Sequence, residues 1–351
     1  MTLRYFPFAA IVEQERLKKA LLLNAVNPAV GGLLVKGTSG TGKSTAVRGL
    51  AELLPEINVV ADCPFSCDPE SPCVACVERV DRGETLPVTR RRRRIVDLPL
   101  NATEDRVAGS VDIARALTEG ARALEPGLLA EANRGILYVD EINLLDDHLT
   151  DVLLDAAALG VNLVEREGVS IAHPARFLLV GTMNEDEGDL RPQIADRIGL
   201  ELAVEPVSDT EARAEIVRRR EAFTKDPETF VSGWERAQNE LAGQVAAAER
   251  LLAKIRVADG LYTAIARLVL AAGVSSHRAD VTILECAKAV AALDGRTELS
   301  PADVLQAAEL ALGHRLAVDP FGPPNELEPQ VLRRLLDEAL EAELTPKKAA
   351  G

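Results

Sequence analysis

Gly37-Thr38-Ser39-Gly40-Thr41-Gly42-Lys43-Ser44-Thr45 decides the reading of this chain, because it fits G-x-x-x-x-G-K-[ST]. The apolar run Gly32-Leu-Leu-Val-Lys36 leads into it as a short strand. Residues 45–54 follow with apolar side chains at helical spacing, and Pro55 ends them. A Gly-rich loop between a strand and a helix turns its backbone N–H groups toward phosphate, and the helix N-terminus adds a partial positive charge. In that frame Lys43 reaches the β- and γ-phosphates, and the Ser44 hydroxyl sits on Mg²⁺.

Working outward, Gly135-Ile-Leu-Tyr-Val-Asp140-Glu141 is an apolar run that ends in two adjacent carboxylates. At the end of a buried strand, Asp140 would hold the same Mg²⁺ from its other side and leave Glu141 to orient a water. Loop and acid pair together imply ATP hydrolysis. Phe177-Leu-Leu-Val-Gly-Thr-Met-Asn184 is a third apolar strand with a polar end. If it lies beside the Asp140 strand, Asn184 reaches the γ-phosphate and holds the attacking water; otherwise Asn184 is an ordinary turn-former. Arg197 closes Leu190-Arg-Pro-Gln-Ile-Ala-Asp-Arg197. It is either a cation favoured by a helix C-terminus or an arginine sent into a neighbour's site.

With 351 residues the chain is long enough for two domains, and its 47% hydrophobic and 27% charged content is that of a globular protein. A net charge of −15 argues against a general nucleic-acid binder. No apolar run reaches the ~18 residues of a membrane span. Pro7, Glu13 and Glu15 interrupt any signal-peptide core. A cytosolic setting with reduced thiols is therefore expected.

Strand candidates at residues 32–36, 57–61, 95–98, 135–139 and 177–181 alternate with helical patterns at 17–24, 45–54, 111–120 and 149–159. This is the rhythm of an α/β fold, a parallel sheet with helices on both faces. Beyond Pro206 only helical patterns remain, at 209–223, 231–255, 258–271, 281–293 and 301–314. Ser300-Pro301 opens the last with an N-cap and a first-turn proline. The expected division is a nucleotide-binding domain over residues 1–205 and an all-helical domain over 206–351, with a disordered tail from 347.

The order of loop, Asp-Glu strand, Asn strand and Arg-bearing helix, followed by a helical lid, resembles an AAA+ ATPase. More narrowly, the chain resembles the I subunit of magnesium chelatase. The resemblance rests on Phe6-Pro-Phe-Ala-Ala-Ile-Val, Val96-Asp-Leu-Pro-Leu-Asn-Ala-Thr-Glu-Asp-Arg-Val and Asn133-Arg-Gly-Ile-Leu-Tyr-Val-Asp-Glu-Ile-Asn-Leu-Leu-Asp-Asp-His148, with shorter matches around them. It implies an ATP-driven homo-oligomeric ring, commonly a hexamer. The implied partners are a D-type subunit with a von Willebrand factor A domain and a large H-type subunit that holds the porphyrin. Neither membrane nor nucleic acid is implied. Lys43 and Ser44, Asp140 and Glu141, Asn184 as first sensor and Arg197 as finger carry over, and Arg278 falls at the lid's second sensor. Glu13 stands where the family usually has glycine. The lid segment from His277 to Cys286 is closer to cobalt-linked chelatase ATPases, so cobalt stays open as the metal served. A MoxR-like chaperone, which shares every ATPase residue, stays open as a different class.

Four of five cysteines, Cys63, Cys67, Cys73 and Cys76, form C-x₃-C-x₅-C-x₂-C among Pro64, Pro69 and Pro72. Four thiolates could hold zinc or an iron–sulfur cluster, two could form a redox disulfide, or all could be uninvolved loop residues. Arg90 to Arg94 is an unbroken arginine run leading into Ile95. It is expected to begin a strand with alternate arginines on opposite faces, meeting solvent or an acidic partner; nucleic acid, and with it a DNA-associated ATPase, is the alternative the run leaves open.

Overall fold

Leu33, Leu34 and Val35 have no exposed surface, and neither do Ile136, Leu137 and Val139. Strands so apolar on both faces must lie inside a sheet covered on both sides. The computed structural model describes residues 4–111, 124–166, 169–184, 186, 188, 190–316 and 329–344. Its main sheet has five strands: β1 (Leu33–Lys36), β4 (Ile95–Asp97), β7 (Ile136–Val139), β10 (Leu178–Met183) and β11 (Leu200–Ala203). Their order is β11-β1-β10-β7-β4. Strand β7 runs parallel to both neighbours, with Gly181 opposite Val139 and Asp97 opposite Tyr138.

The helix α1 (Glu15–Val26) precedes β1, and α2 (Lys43–Leu53), α4 (Glu104–Ala108), α5 (Leu128–Glu131), α6 (Asp147–Leu159) and α7 (Pro192–Ala195) intervene between strands. One more, α3 (Val74–Asp81), belongs to the excursion between β2 (Ile57–Val60) and β3 (Val88–Arg91). The helical pattern at 111–120 lies outside the described residues, apart from Val111, which ends β5 (Gly109–Val111). The tail from 347 lies outside them as well.

Three small antiparallel ribbons flank the sheet: β2 with β3, β5 with β6 (Leu124–Pro126), and β8 (Val161–Arg166) with β9 (Val169–Pro174). The 57–61 strand therefore does not join the parallel sheet. Only Val59 and Val60 of β2 are buried, which suits a two-stranded ribbon and not a central strand. The arginine run is not one strand either. Arg90 and Arg91 close β3, residues 92–94 leave it, and β4 starts at Ile95. Burial, with Arg94 and Arg134 nearby, pushes the Arg91 guanidinium down to about 10, so extending the row of arginines in one buried ladder is costly. Arg90 pairs with Glu56 at 3.7 Å, and Arg92 pairs with Glu52.

Among the described residues no strand follows β11. The remaining helices are α8 (Thr210–Lys225), α9 (Pro227–Leu252), α10 (Asp259–Ala271), α11 (His277–Leu293), α12 (Pro301–Ala311) and α13 (Pro329–Leu344). The start of α12 follows its sequence: Asp303 accepts from the Ser300 backbone N–H and hydroxyl, both at 2.8 Å, in a capping box. None of these helices is long and apolar enough to cross a membrane.

The chain divides into two compact units, one of residues 1–15, 35–189 and 204–242, the other of 16–34, 190–203 and 243–351. In the first, Phe6, Phe223, Phe230 and Trp234 form a chain of rings with centroids 5.2–6.4 Å apart. Glu13, the position where the family has glycine, takes φ +52°. A side chain there costs about 1 kcal/mol that glycine would not. In the second unit α11 buries a face of Ala279, Ile283, Cys286, Ala287 and Val290. Asn27 joins it, donating to the Glu285 carbonyl at 3.0 Å and carboxylate at 2.8 Å.

Candidate nucleotide-binding site

The loop from Gly37 to Gly42 joins β1 to α2, as its pattern requires. Gly37 has φ +141°, and a Cβ there would lie 2.4 Å from the Val204 carbonyl oxygen. Gly42 has φ +86° with open space around it, so glycine serves that position by conformation alone. Lys43 bends back over the loop, donating to the carbonyls of Gly37 and, at 3.0 Å, Thr38. The Thr41 hydroxyl bonds the same Thr38 oxygen at 3.0 Å. Ser44 is exposed in the first turn of α2, and Thr45 is half-buried beside it. Ser39 and Gly40 are exposed at the crest of the loop. The loop is thus a curved run of backbone with one ammonium group inside it.

Two hydrogen bonds gather the strand ends around that loop. The Gly37 N–H donates to the Met183 carbonyl at 3.1 Å, tying the loop to the end of β10. The Thr182 hydroxyl donates to Asp140, tying β10 to the end of β7. Asn184 follows Met183 directly, so loop, acid pair and Asn184 converge beyond the carboxyl ends of parallel strands, where α/β sheets bind ligands. The Tyr138 hydroxyl also donates to Asp140, at 3.0 Å. Burial pushes the Tyr138 hydroxyl well above its usual range, so it stays a donor. Asp140 itself is exposed, a carboxylate oriented by two hydroxyls. With the exposed Ser44 hydroxyl it offers hard oxygen donors, the kind that suit Mg²⁺. Glu141 takes φ +54°. A glutamate held in the left-handed region is a strained position of the sort found at working sites.

Sequence reasoning misses Tyr138 and Thr182. A signal for the first exists: residues two apart on a strand share a face, so Tyr138 has to stand beside Asp140.

Arg197 and Arg278 belong to the second unit. Arg278, at the start of α11, reaches Asp196 at 3.3 Å, one residue before Arg197. Arg315 clamps the same segment, donating to the carbonyls of Asp196, Ile198 and Gly199 at 2.8–3.0 Å. Its burial pushes the guanidinium down to about 10 against the pull of Asp196. His314 Nε2 adds a bond to the Ile198 carbonyl at 2.9 Å. Arg197 is half-buried on a backbone held at three carbonyls, an arrangement that no local pattern announces.

The cysteines come together away from these residues. The sulfurs of Cys63, Cys67, Cys73 and Cys76 all lie within 4.8 Å of one another. Cys63 and Cys73 are 3.7 Å apart, and Cys67 and Cys76 are 3.6 Å apart. The bond from Cys73 brings the Cys63 thiol down to about 5 and pushes Cys73 up; burial raises Cys76 to about 12.

A phosphate-cradling loop before a helix, an acid pair on a neighbouring strand and a polar strand end between them define a P-loop ATPase of the AAA+ class. Comparison with known proteins narrows the class. The family described as magnesium chelatase, subunit ChlI, matches residues 110–197, and the AAA lid domain matches residues 262–335. A magnesium-chelatase subunit ChlI homolog of Methanocaldococcus jannaschii is 52% identical over 340 residues, 96% of this chain and 93% of the relative. The magnesium-chelatase subunit ChlI of Chlorella vulgaris is 50% identical over 90% of both chains. Among solved structures, a chain from the cryo-EM complex of subunits BchI and BchD of magnesium chelatase is 45% identical, with TM-score 0.54 over 96% of this chain and all of that one. A putative ATPase from Cytophaga hutchinsonii, 17% identical with TM-score 0.60 over 95% of this chain and 90% of that one, shares the fold. The chain belongs to the magnesium-chelatase subunit ChlI family.

Proposed function

We propose that this chain is the ATP-hydrolysing motor subunit of a chelatase that inserts Mg²⁺ into protoporphyrin IX. The observation that carries the proposal is the convergence of loop, Asp140 and Asn184 in a chain half identical, nearly end to end, to magnesium-chelatase I subunits. Lys43 would neutralise the β- and γ-phosphates of ATP while the backbone of residues 37–42 encloses them. Ser44 and Asp140 would hold the Mg²⁺ that accompanies ATP, which supplies charge neutralisation. Glu141 orients the attacking water, and Asn184 holds it against the γ-phosphate.

Arg197 would enter a neighbour's site as the finger, and Arg278 would read nucleotide from the lid. The role of Arg197 needs a ring of identical subunits, six in this reading. The BchI–BchD complex supports a D-type partner on that ring. An H-type subunit would hold the porphyrin, and the assembly would work in the cytoplasm. ATP and Mg²⁺ are the cofactors this hydrolysis requires.

Reconstitution tests the proposal. The chain is combined with the D- and H-type proteins of its own organism, protoporphyrin IX and ATP, and metalloporphyrin is read by fluorescence. Magnesium insertion that requires the chain and ATP is expected. Insertion that proceeds without the chain, or with Co²⁺ alone, would contradict it.

A further inference from the structure

The segment between β2 and β3, Ala61 to Pro87, has almost no apolar interior of its own. What is buried there is sulfur: Cys63, Cys67 and Cys76 are 7%, 2% and 2% exposed, packed with Val60 and edged by Phe65, Cys73 and Leu86. A segment this small, with Pro64, Pro69 and Pro72 and many charges, cannot hold one conformation by burial alone and needs a staple.

The sulfur geometry says which staple. A disulfide needs sulfurs about 2.05 Å apart, and it would use two thiols while leaving two buried without a role. An iron–sulfur cubane puts each thiolate on its own iron, which holds the sulfurs farther apart than one shared ion does. A single tetrahedral ion with metal–sulfur bonds of about 2.3 Å places its ligands about 3.8 Å apart along each edge. The observed separations of 3.6 and 3.7 Å match that edge, and all four sulfurs stay within 4.8 Å. A donor set of four thiolates is soft and closed, which favours zinc over harder cations.

The surroundings are those of thiolate ligands. Cys63 and Cys67 lie on the turn after β2, where Ser66 takes φ +47° and the Val60 N–H bonds the Cys67 carbonyl at 3.1 Å. Cys73 caps the N-terminus of α3 and Cys76 sits in its first turn, where the helix end favours negative charge. Backbone N–H groups of Phe65 and Cys67 aim at the Cys63 sulfur, and that of Cys76 at Cys73. Such donors orient ligands and spread their charge.

We propose that Cys63, Cys67, Cys73 and Cys76 bind one zinc ion as a tetrathiolate and that this ion folds the 61–87 loop onto the sheet. Binding displaces the thiol protons to solvent, so occupancy falls with acid and with chelators. The folded loop is carried to the rest of the unit through Phe65. Its ring stacks on His173 of β9, centroids 5.1 Å apart and planes parallel within 1°. Its carbonyl accepts from Asn133 at 2.8 Å, three residues before β7. Asp140 is at the other end of β7, so the ion acts on loop order and not on hydrolysis.

Protein purified without metal-affinity steps decides the matter. Elemental analysis should give about one zinc per chain, and X-ray absorption should give four sulfurs at about 2.3 Å. Co²⁺ exchanged for the native metal should show the absorption of a tetrahedral tetrathiolate. Cys76→Ser should lose the zinc and become open to protease between residues 61 and 87, while ATP hydrolysis stays within about twofold because the sites are distant. If Cys76→Ser does not fold, the wild-type spectroscopy alone still tests the site. Metal-free protein with an intact loop, iron with inorganic sulfide, or a disulfide found by mass would each overturn the proposal.

Discussion

The two ends of β7 do different chemistry with different means. At its carboxyl end, Asp140 and Glu141 stand on a strand whose four residues are at most 4% exposed. The sheet supplies the order there, so the working groups can be exposed, short and few. At its amino end, Asn133 holds a loop whose small interior is mostly its own thiols. Under the zinc proposal, order at that end comes from ligation. The difference teaches where sequence change is tolerated: apolar exchanges in β7 disturb the nucleotide end, and single-atom changes at sulfur disturb the loop.

Three substitutions sharpen this contrast, from large effect to small. Lys43→Ala removes the one ammonium in the loop, and hydrolysis should fall about 10³-fold or more in a steady-state phosphate assay, with folding intact by circular dichroism. Thr182→Val removes a hydroxyl that orients Asp140 while keeping the strand. The Mg²⁺ concentration needed for half-maximal turnover should rise about 10-fold. Phe65→Ala breaks the stack on His173. It should cost about 2 kcal/mol in denaturant unfolding and leave hydrolysis within about twofold. A Phe65→Ala chain that lost hydrolysis in proportion would show that the two ends of β7 are not separate.

Much of the nucleotide end is legible in the amino-acid sequence. The Gly-rich loop, the Asp-Glu pair and the Asn strand are written in local pattern, because each is a turn or strand end whose chemistry needs particular residues in fixed order. Strands β1, β7 and β10 announce themselves as apolar runs because both their faces are buried. The ribbons are harder to read. The 57–61 run reads as a strand of the main sheet, since two buried valines look alike in a ribbon and in a sheet edge, and β5, β6, β8 and β9 are too short or too polar to stand out. The arginine run reads as one strand because alternation cannot show that residues 92–94 turn away. Arg315 is invisible to local pattern because its work, clamping the carbonyls around Arg197, joins residues about 116 apart in sequence. The thiol spacing leaves zinc, iron–sulfur and disulfide open, and the zinc proposal draws on sulfur–sulfur distances that spacing does not contain.

The central claim is that the nucleotide end of β7 hydrolyses ATP through Glu141. Its most direct test is Glu141→Gln, assayed side by side for nucleotide binding and for turnover. Mg·ATP should bind with wild-type affinity while turnover drops about 10²-fold or more, since only the water-orienting carboxylate is lost. Turnover near the wild-type rate would contradict the assignment.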